Sequence, residues 1–181
     1  MAIHKLLPLS ALIVLTACSG NSEPTNNKNN TAYIHEIISP TGDVLGSVSL
    51  KDLGMGGTSV MISVSGISEG QHAMHFHEVG KCEGPDFKSS GGHYNPDGRA
   101  HGKKVADGPH VGDMMNINVG ADQKGEFMIV NERVSIHGDH DLPALFDADG
   151  TALILHEKAD DYESQPSGAA GARIGCALIK P

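Results

Sequence analysis

From about Ala32 onward, apolar and polar positions alternate in short runs. Val44, Val48 and Leu50 share one face of an extended segment, and Val60, Ile62 and Val64 stand opposite Met61, Ser63 and Ser65. This two-residue period is that of half-buried strands. Similar runs predict strands over 32–38, 70–77, 114–119, 126–134, 151–156 and 173–179. Turn-forming clusters separate them at Pro40-Thr41-Gly42-Asp43, Gly54 to Gly57, Ala121 to Gly125 and Asp147-Ala148-Asp149-Gly150. About eight short strands with no long helical pattern specify an all-β chain, a sandwich or flattened barrel. Two segments resist that reading, 78–113 and 157–172: both are long, rich in Gly or Pro, and carry histidines or charges. They exceed an ordinary connection, and ordered loops of that length tend to carry function.

The first residues follow a different rule. Lys5 precedes an apolar stretch, Leu6 to Thr16, that is too short to span a bilayer and is followed by small residues, the build of a secretory signal. Leu15-Thr16-Ala17-Cys18 resembles a lipobox, which makes 1–17 a lipoprotein signal peptide and Cys18 the lipidated residue. An ordinary secretory cleavage nearby is the alternative. Residues 19–31 contain no large apolar side chain, so 18–31 is expected to be the lipidated cysteine and a flexible tether, with one folded domain over 32–181. The expected location is the bacterial periplasm, lipid-anchored, with Ser19 favouring the outer membrane, and the anchor is the sole expected membrane contact.

Of three cysteines, Cys18 is then used, leaving Cys82 and Cys176 to pair in an oxidising compartment. The net charge of −9 and the lack of a basic run argue against nucleic acid as a partner. They also mean that an anionic substrate must be drawn in by a few local cations.

The candidate chemistry is metal binding. His75 and His77 lie two apart at a strand end, so both imidazoles project from one face. The first long loop adds His93, His101, His110 and Asp113, three nitrogens and one oxygen that suit four-coordinate zinc. His156 closes the apolar run Leu153-Ile154-Leu155, and coordination by imidazoles without thiolate also suits copper.

All of these candidate ligands but His101 fall within Ala73-Met74-His75-Phe76-His77, Gly91-Gly92-His93-Tyr94-Asn95-Pro96, His110-Val111-Gly112-Asp113, His156-Glu157-Lys158-Ala159-Asp160-Asp161 and Gly168-Ala169-Ala170-Gly171-Ala172-Arg173-Ile174-Gly175-Cys176. In order and spacing, from about residue 32 to the end, the five segments resemble the copper/zinc superoxide dismutases of bacterial periplasmic lipoprotein type. The resemblance implies an eight-stranded Greek-key β-sandwich or flattened barrel with two long functional loops, and the conversion of superoxide to oxygen and hydrogen peroxide. It implies copper ligands at His75, His77, His93 and His156, and zinc ligands at His93, His101, His110 and Asp113. His93 would be the bridging imidazolate, taking a proton in one half-reaction and returning it in the other. Asp160 matches the carboxylate joining a copper-ligand histidine to a zinc-ligand histidine, Arg173 the anion-guiding arginine, and Cys82 with Cys176 the intrachain disulfide. Ala169 replaces the family's usual asparagine, and Leu178 its usual Ile or Val.

Lys103 and Lys158 could add steering, and Glu157 and Asp161 could shape the field; an ordinary solvated role is the alternative for each. His35, His72, His137 and His140 match no ligand position and read as surface or satisfied histidines. Competing readings are a metal-buffering module on the same fold, a cupin-like dioxygenase using Glu83, and a blue-copper carrier. Arg173 and Asp160 argue against the first, the surplus histidines against the second, and the pairing of Cys176 against the third. A homodimer is possible.

Overall fold

The computed structural model describes Met1 and residues 31–181. Met1 apart, the expected signal peptide, the lipidated Cys18 and the tether through residue 30 lie outside the described residues. Among the described residues no helix is long and apolar enough to cross a membrane.

Nine strands form: β1 (Ala32–Ile38), β2 (Val44–Asp52), β3 (Thr58–Ser65), β4 (Gly70–His72), β5 (Met74–His77), β6 (Ile117–Val119), β7 (Lys124–Asn131), β8 (Thr151–His156) and β9 (Arg173–Ile179). Seven of them make one antiparallel sheet in the order β5-β8-β9-β1-β2-β3-β7, while β4 and β6 pair separately. The sheet curls so that one face encloses the core. Val48 and Leu50 of β2 meet Val60, Ile62 and Val64 of β3, Met74 and Phe76 of β5, and Leu153 and Leu155 of β8. The alternation read from the sequence is the burial alternation of β3, in which every second residue is buried.

The predicted 70–77 strand is two strands because its backbone changes partners at Ala73. Gly70–His72 pair with β6 and Met74–His77 with β8. Between them, Ala73 N–H donates to Lys158 O at 2.8 Å and Ala73 O accepts from His156 N–H at 2.9 Å. The predicted 114–119 strand begins only at Ile117, since Asn116 turns its backbone N–H to the Tyr162 hydroxyl. The predicted 126–134 strand ends at Asn131, whose side-chain oxygen captures the Arg133 N–H at 2.9 Å.

One feature of the sheet positions the chemistry. All four residues of β5 and all six of β8 are buried, so both faces of the sheet are covered there. Inside lies the barrel core. Outside lies the 78–113 loop, where Phe87 packs on Ala152, Ile154 and Cys176 in a second, smaller apolar cluster. The Cys82–Cys176 disulfide, with Cα atoms 5.7 Å apart, fastens that loop to β9. Leu178 is 42% exposed, so its departure from the family pattern does not touch the core.

Candidate metal centre

On β5 the side chains of Met74 and Phe76 enter the core. The strand period therefore sends His75 and His77 to the outer, loop-covered face. His156 ends β8 beside them, next to Arg173, its partner at the start of β9. The loop adds His93, held against β5 by an isolated bridge to His77, while Asp113 bridges His75.

Two groups of ligand atoms result. His75, His77, His93 and His156 form one, and His93, His101, His110 and Asp113 the other; within each, all the donor atoms lie within 4.8 Å of one another. His93 belongs to both. Its Nδ1 faces the second group, donating to Asp113 Oδ1 at 2.8 Å, and its Nε2 is buried with no partner.

The remaining nitrogens divide in the same way. His75 Nε2 donates to Asp160 Oδ2 at 2.9 Å, His77 Nδ1 to Gly91 O at 3.0 Å, and His101 Nε2 to Asp160 Oδ1 at 3.0 Å. The opposite nitrogens, His75 Nδ1, His77 Nε2 and His101 Nδ1, are buried without a hydrogen-bond partner, as is His156 Nε2. His101 Nδ1 lies 3.0 Å from Asp113 Oδ2 but is not aligned to bond it. A buried imidazole nitrogen without a partner is costly. Five of them converging on two small volumes fit a set of metal-facing lone pairs, each fixed by a bond at the other end of its ring.

The electrostatics agree. Burial pushes the His75 pKa down to about 4 and that of His156 to about 3, and holds His77 well below the usual imidazole range. Each of these rings is therefore neutral, the form that binds a metal. Burial would also lower His101, but the Asp113 carboxylate close to its Nδ1 and its bond to Asp160 outweigh that and raise it to about 9. For Asp113 burial works upward, and the nearby His101 ring with the donors from His93 and Gly102 holds the carboxyl far below its usual range. Asp160 is held low in the same way by His101 and His75.

Arg173 sits half-buried beside the all-imidazole group, and its charge disfavours protonation of His77 and His156. Its guanidinium donates to Phe87 O at 2.8 Å, Ser90 Oγ at 2.9 Å and Gly91 O at 2.8 Å. Phe87, Ser90 and Gly91 all lie in the loop that the disulfide secures.

The other sequence candidates fall elsewhere. Lys103 Nζ rests over the Tyr162 ring, 4.1 Å from its centroid, and meets Met115 Sδ at 3.0 Å. Lys158 is exposed. Asp161 accepts the Glu163 and Ser164 N–H groups and Glu157 that of Ala172, so both acids shape the 157–172 loop from within. Glu83 lies exposed in a turn and joins neither group, which removes the cupin-like arrangement. His72 has a carbonyl oxygen 2.9 Å from each ring nitrogen, His156 O at Nδ1 and Ser68 O at Nε2, and donates to one of them. His137 bonds the Tyr33 hydroxyl and His140 is exposed. His35 is half-buried near Phe146, and its Nε2 has no partner.

Sequence reasoning missed Ser90, whose hydroxyl meets Arg173, and Asn116, Tyr162 and Gln165, whose bonds to the site involve backbone groups. No motif announces them, since what each touches depends on how two distant loops meet.

The sequence model of copper/zinc superoxide dismutase matches residues 44–179. The chain is 39% identical over 149 residues to superoxide dismutase [Cu-Zn] 2 of Aquifex aeolicus, covering 80% of this chain and 84% of that one. It is 34% identical over 190 residues to the superoxide dismutase-like protein YojM of Bacillus subtilis, covering 98% and 96%. A crystal structure of a SOD-like protein from Bacillus subtilis superposes with a TM-score of 0.78 at 34% identity, covering 82% of this chain and 99% of that one.

Proposed function

Because the chain belongs to the copper/zinc superoxide dismutase family, whose reaction is superoxide dismutation and whose cofactors are copper and zinc, we propose a division of labour between its two groups of donors. His75, His77, His93 and His156 hold copper; His93, His101, His110 and Asp113 hold zinc. The supporting observation is the five buried, partnerless imidazole nitrogens, four of which, on His75, His77, His93 and His156, make up the first group. Bound copper supplies a one-electron couple that takes an electron from one superoxide and gives it to another.

The protein's own residues supply the rest. Arg173 is a fixed cation with a donor fork, suited to drawing a small oxyanion towards the imidazoles against a net charge of −9. His93 Nε2 holds a proton between the two half-reactions and returns it to the reduced product, and water provides the second. Asp113 Oδ1, 2.8 Å from His93 Nδ1, holds the far side of the ring, where zinc would also be held, so the ring would pivot little as its proton comes and goes. Glu157 and Asp161 act on the substrate only indirectly, by fixing the loop that rims the site.

Superoxide consumption after titration with copper and zinc tests the reading, alongside His156→Ala. Fast copper-dependent turnover that the variant loses is the expected result. Tight copper binding with turnover no better than free metal would leave a metal-buffering protein.

The chain's setting forms part of the same proposal. Residues 1–17 direct export, Cys18 carries lipid, and 19–31 hold the domain off the periplasmic face of a membrane. Incorporation of a labelled fatty acid that Cys18→Ser abolishes is the expected outcome, and soluble, unlabelled wild-type protein would refute the anchor.

A further inference from the structure

Two side-chain amides grip the backbone of the metal site, each reaching across from the other loop. Gln165, in the 157–172 loop, accepts the His101 N–H on Oε1 at 2.9 Å and donates from Nε2 to His101 O at 2.8 Å. Its other amide hydrogen reaches Glu163 O at 3.0 Å. Asn116, just past the 78–113 loop, does the same to Asp160: Oδ1 accepts the Asp160 N–H at 2.8 Å and Nδ2 donates to Asp160 O at 2.9 Å. The bond from His101 Nε2 to Asp160 Oδ1, 3.0 Å long, closes the circuit. Its side chains are fully buried.

Neither His101 nor Asp160 lies in a strand, so no sheet neighbour fixes its backbone. The amides take the place of one. An imidazole has only two rotatable bonds. With the His101 backbone held at both N–H and C=O and its Nε2 tied to Asp160, the direction of Nδ1 is fully determined. The same holds for Asp160: its backbone is pinned by Asn116, and its two oxygens are spent on His101 and His75. Tyr162 tightens the circuit by donating its N–H to Asp160 Oδ1 at 2.6 Å and accepting the Asn116 N–H on its hydroxyl at 2.9 Å. Gly168 fits against it only because it lacks a Cβ, which would lie 1.8 Å from Asp160 Oδ1.

We infer that Asn116 and Gln165 are positioning residues: by reading the Asp160 and His101 backbones they aim His101 Nδ1 at the zinc group and His75 Nδ1 at the copper group, linking the two sites mechanically. The inference rests on the proposed metal sites. Both amides act before an ion arrives, so they set how tightly zinc is held and how the copper ligands are arranged.

The test uses the mature chain loaded with both metals. Zinc release to a chromophoric chelator and the copper(II) EPR spectrum are recorded for wild type, Gln165→Ala, Asn116→Ala and the same-shape variants Gln165→Glu and Asn116→Asp. Zinc release faster by roughly tenfold to a hundredfold, with altered copper hyperfine splitting, is expected in each. Gln165 is exposed, so Gln165→Ala leaves the barrel folded, and its release rate decides the matter even if the Asn116 variants do not fold. Unchanged release and an unchanged spectrum in Gln165→Ala would overturn the inference and reduce the amides to loop trimming. Failure of the wild-type chain to retain zinc would instead refute the metal-site assignment beneath it.

Discussion

At the scale of single residues, the centre is a set of side chains whose protonation has been settled in advance by burial and by neighbours. This gives the metal-stripped protein a defined pH profile. His75 and His156, held at about 4 and about 3, refuse protons that the unfolded chain accepts from 6.5 downward. Stability therefore falls as pH drops from about 6.5 through both values. The depressed carboxyls of Asp113 and Asp160 extend the loss below 3.8, where the unfolded chain's carboxyls begin to protonate. His101 works in the opposite direction: raised to about 9, its contribution is complete below 6.5 and is lost as pH rises through 9. The urea midpoint of chelator-treated protein should peak near neutrality and decline on both sides. A midpoint still rising at pH 4 would contradict the burial assigned to these rings. On the proposed assignment zinc displaces the His101 proton, so zinc binding near pH 7 should release about one proton per ion.

Ala169 is the second residue-scale case. It occupies the left-handed region with φ +52°, where a Cβ is penalised and asparagine is more at ease than alanine. The family's usual asparagine is thus a backbone requirement, and alanine here carries its cost. Ala169→Asn should raise stability by about 1 kcal/mol in a thermal melt, without altering metal content.

Among the elements, strands were legible wherever a single partner face decided burial, as in β3 with its two-residue alternation. They were not legible where the backbone changes allegiance. The break at Ala73 depends on Lys158 and His156, more than eighty positions away, and no local pattern encodes it. The site divided along the same line. Histidines and carboxylates in recognisable spacing could be read directly, whereas Gly91 O and Phe87 O, which hold His77 and Arg173, are backbone atoms without a sequence signature. The disulfide belongs to this scale too. It closes a separation of 94 residues, for which the chain-entropy model gives about 4–5 kcal/mol. Cys82→Ser should approach that loss on chemical denaturation. It should also free the segment bearing Phe87, Ser90 and Gly91, so that turnover falls while zinc retention barely changes. Equal loss of zinc and turnover would mean that the loop moves as one piece.

Across the whole molecule the charge balance works against the substrate. Twenty-two acids against thirteen bases give −9, which repels an anion at long range, so the proposed attraction rests on Arg173 beside His77 and His156. Screening shortens the reach of both effects. Arg173→Ala should lower kcat/KM by about tenfold, and its rate should stay flat or rise with added salt where the wild-type rate falls. Parallel salt curves for the two proteins would place the guiding field elsewhere.

His75, His77 and His156 stand on the outer face of β5 and β8, while Met74, Phe76, Leu153 and Leu155 fill the interior from the inner face. The residues that close the fold and those that hold the proposed chemistry thus alternate along the same two strands, on opposite faces. A chain of this design can lose one imidazole and still close its barrel, keeping its shape and its place among its relatives while the reaction disappears. Resemblance in shape is therefore a poor witness to activity among such proteins, and the identity of four or five outward-facing side chains is a far better one.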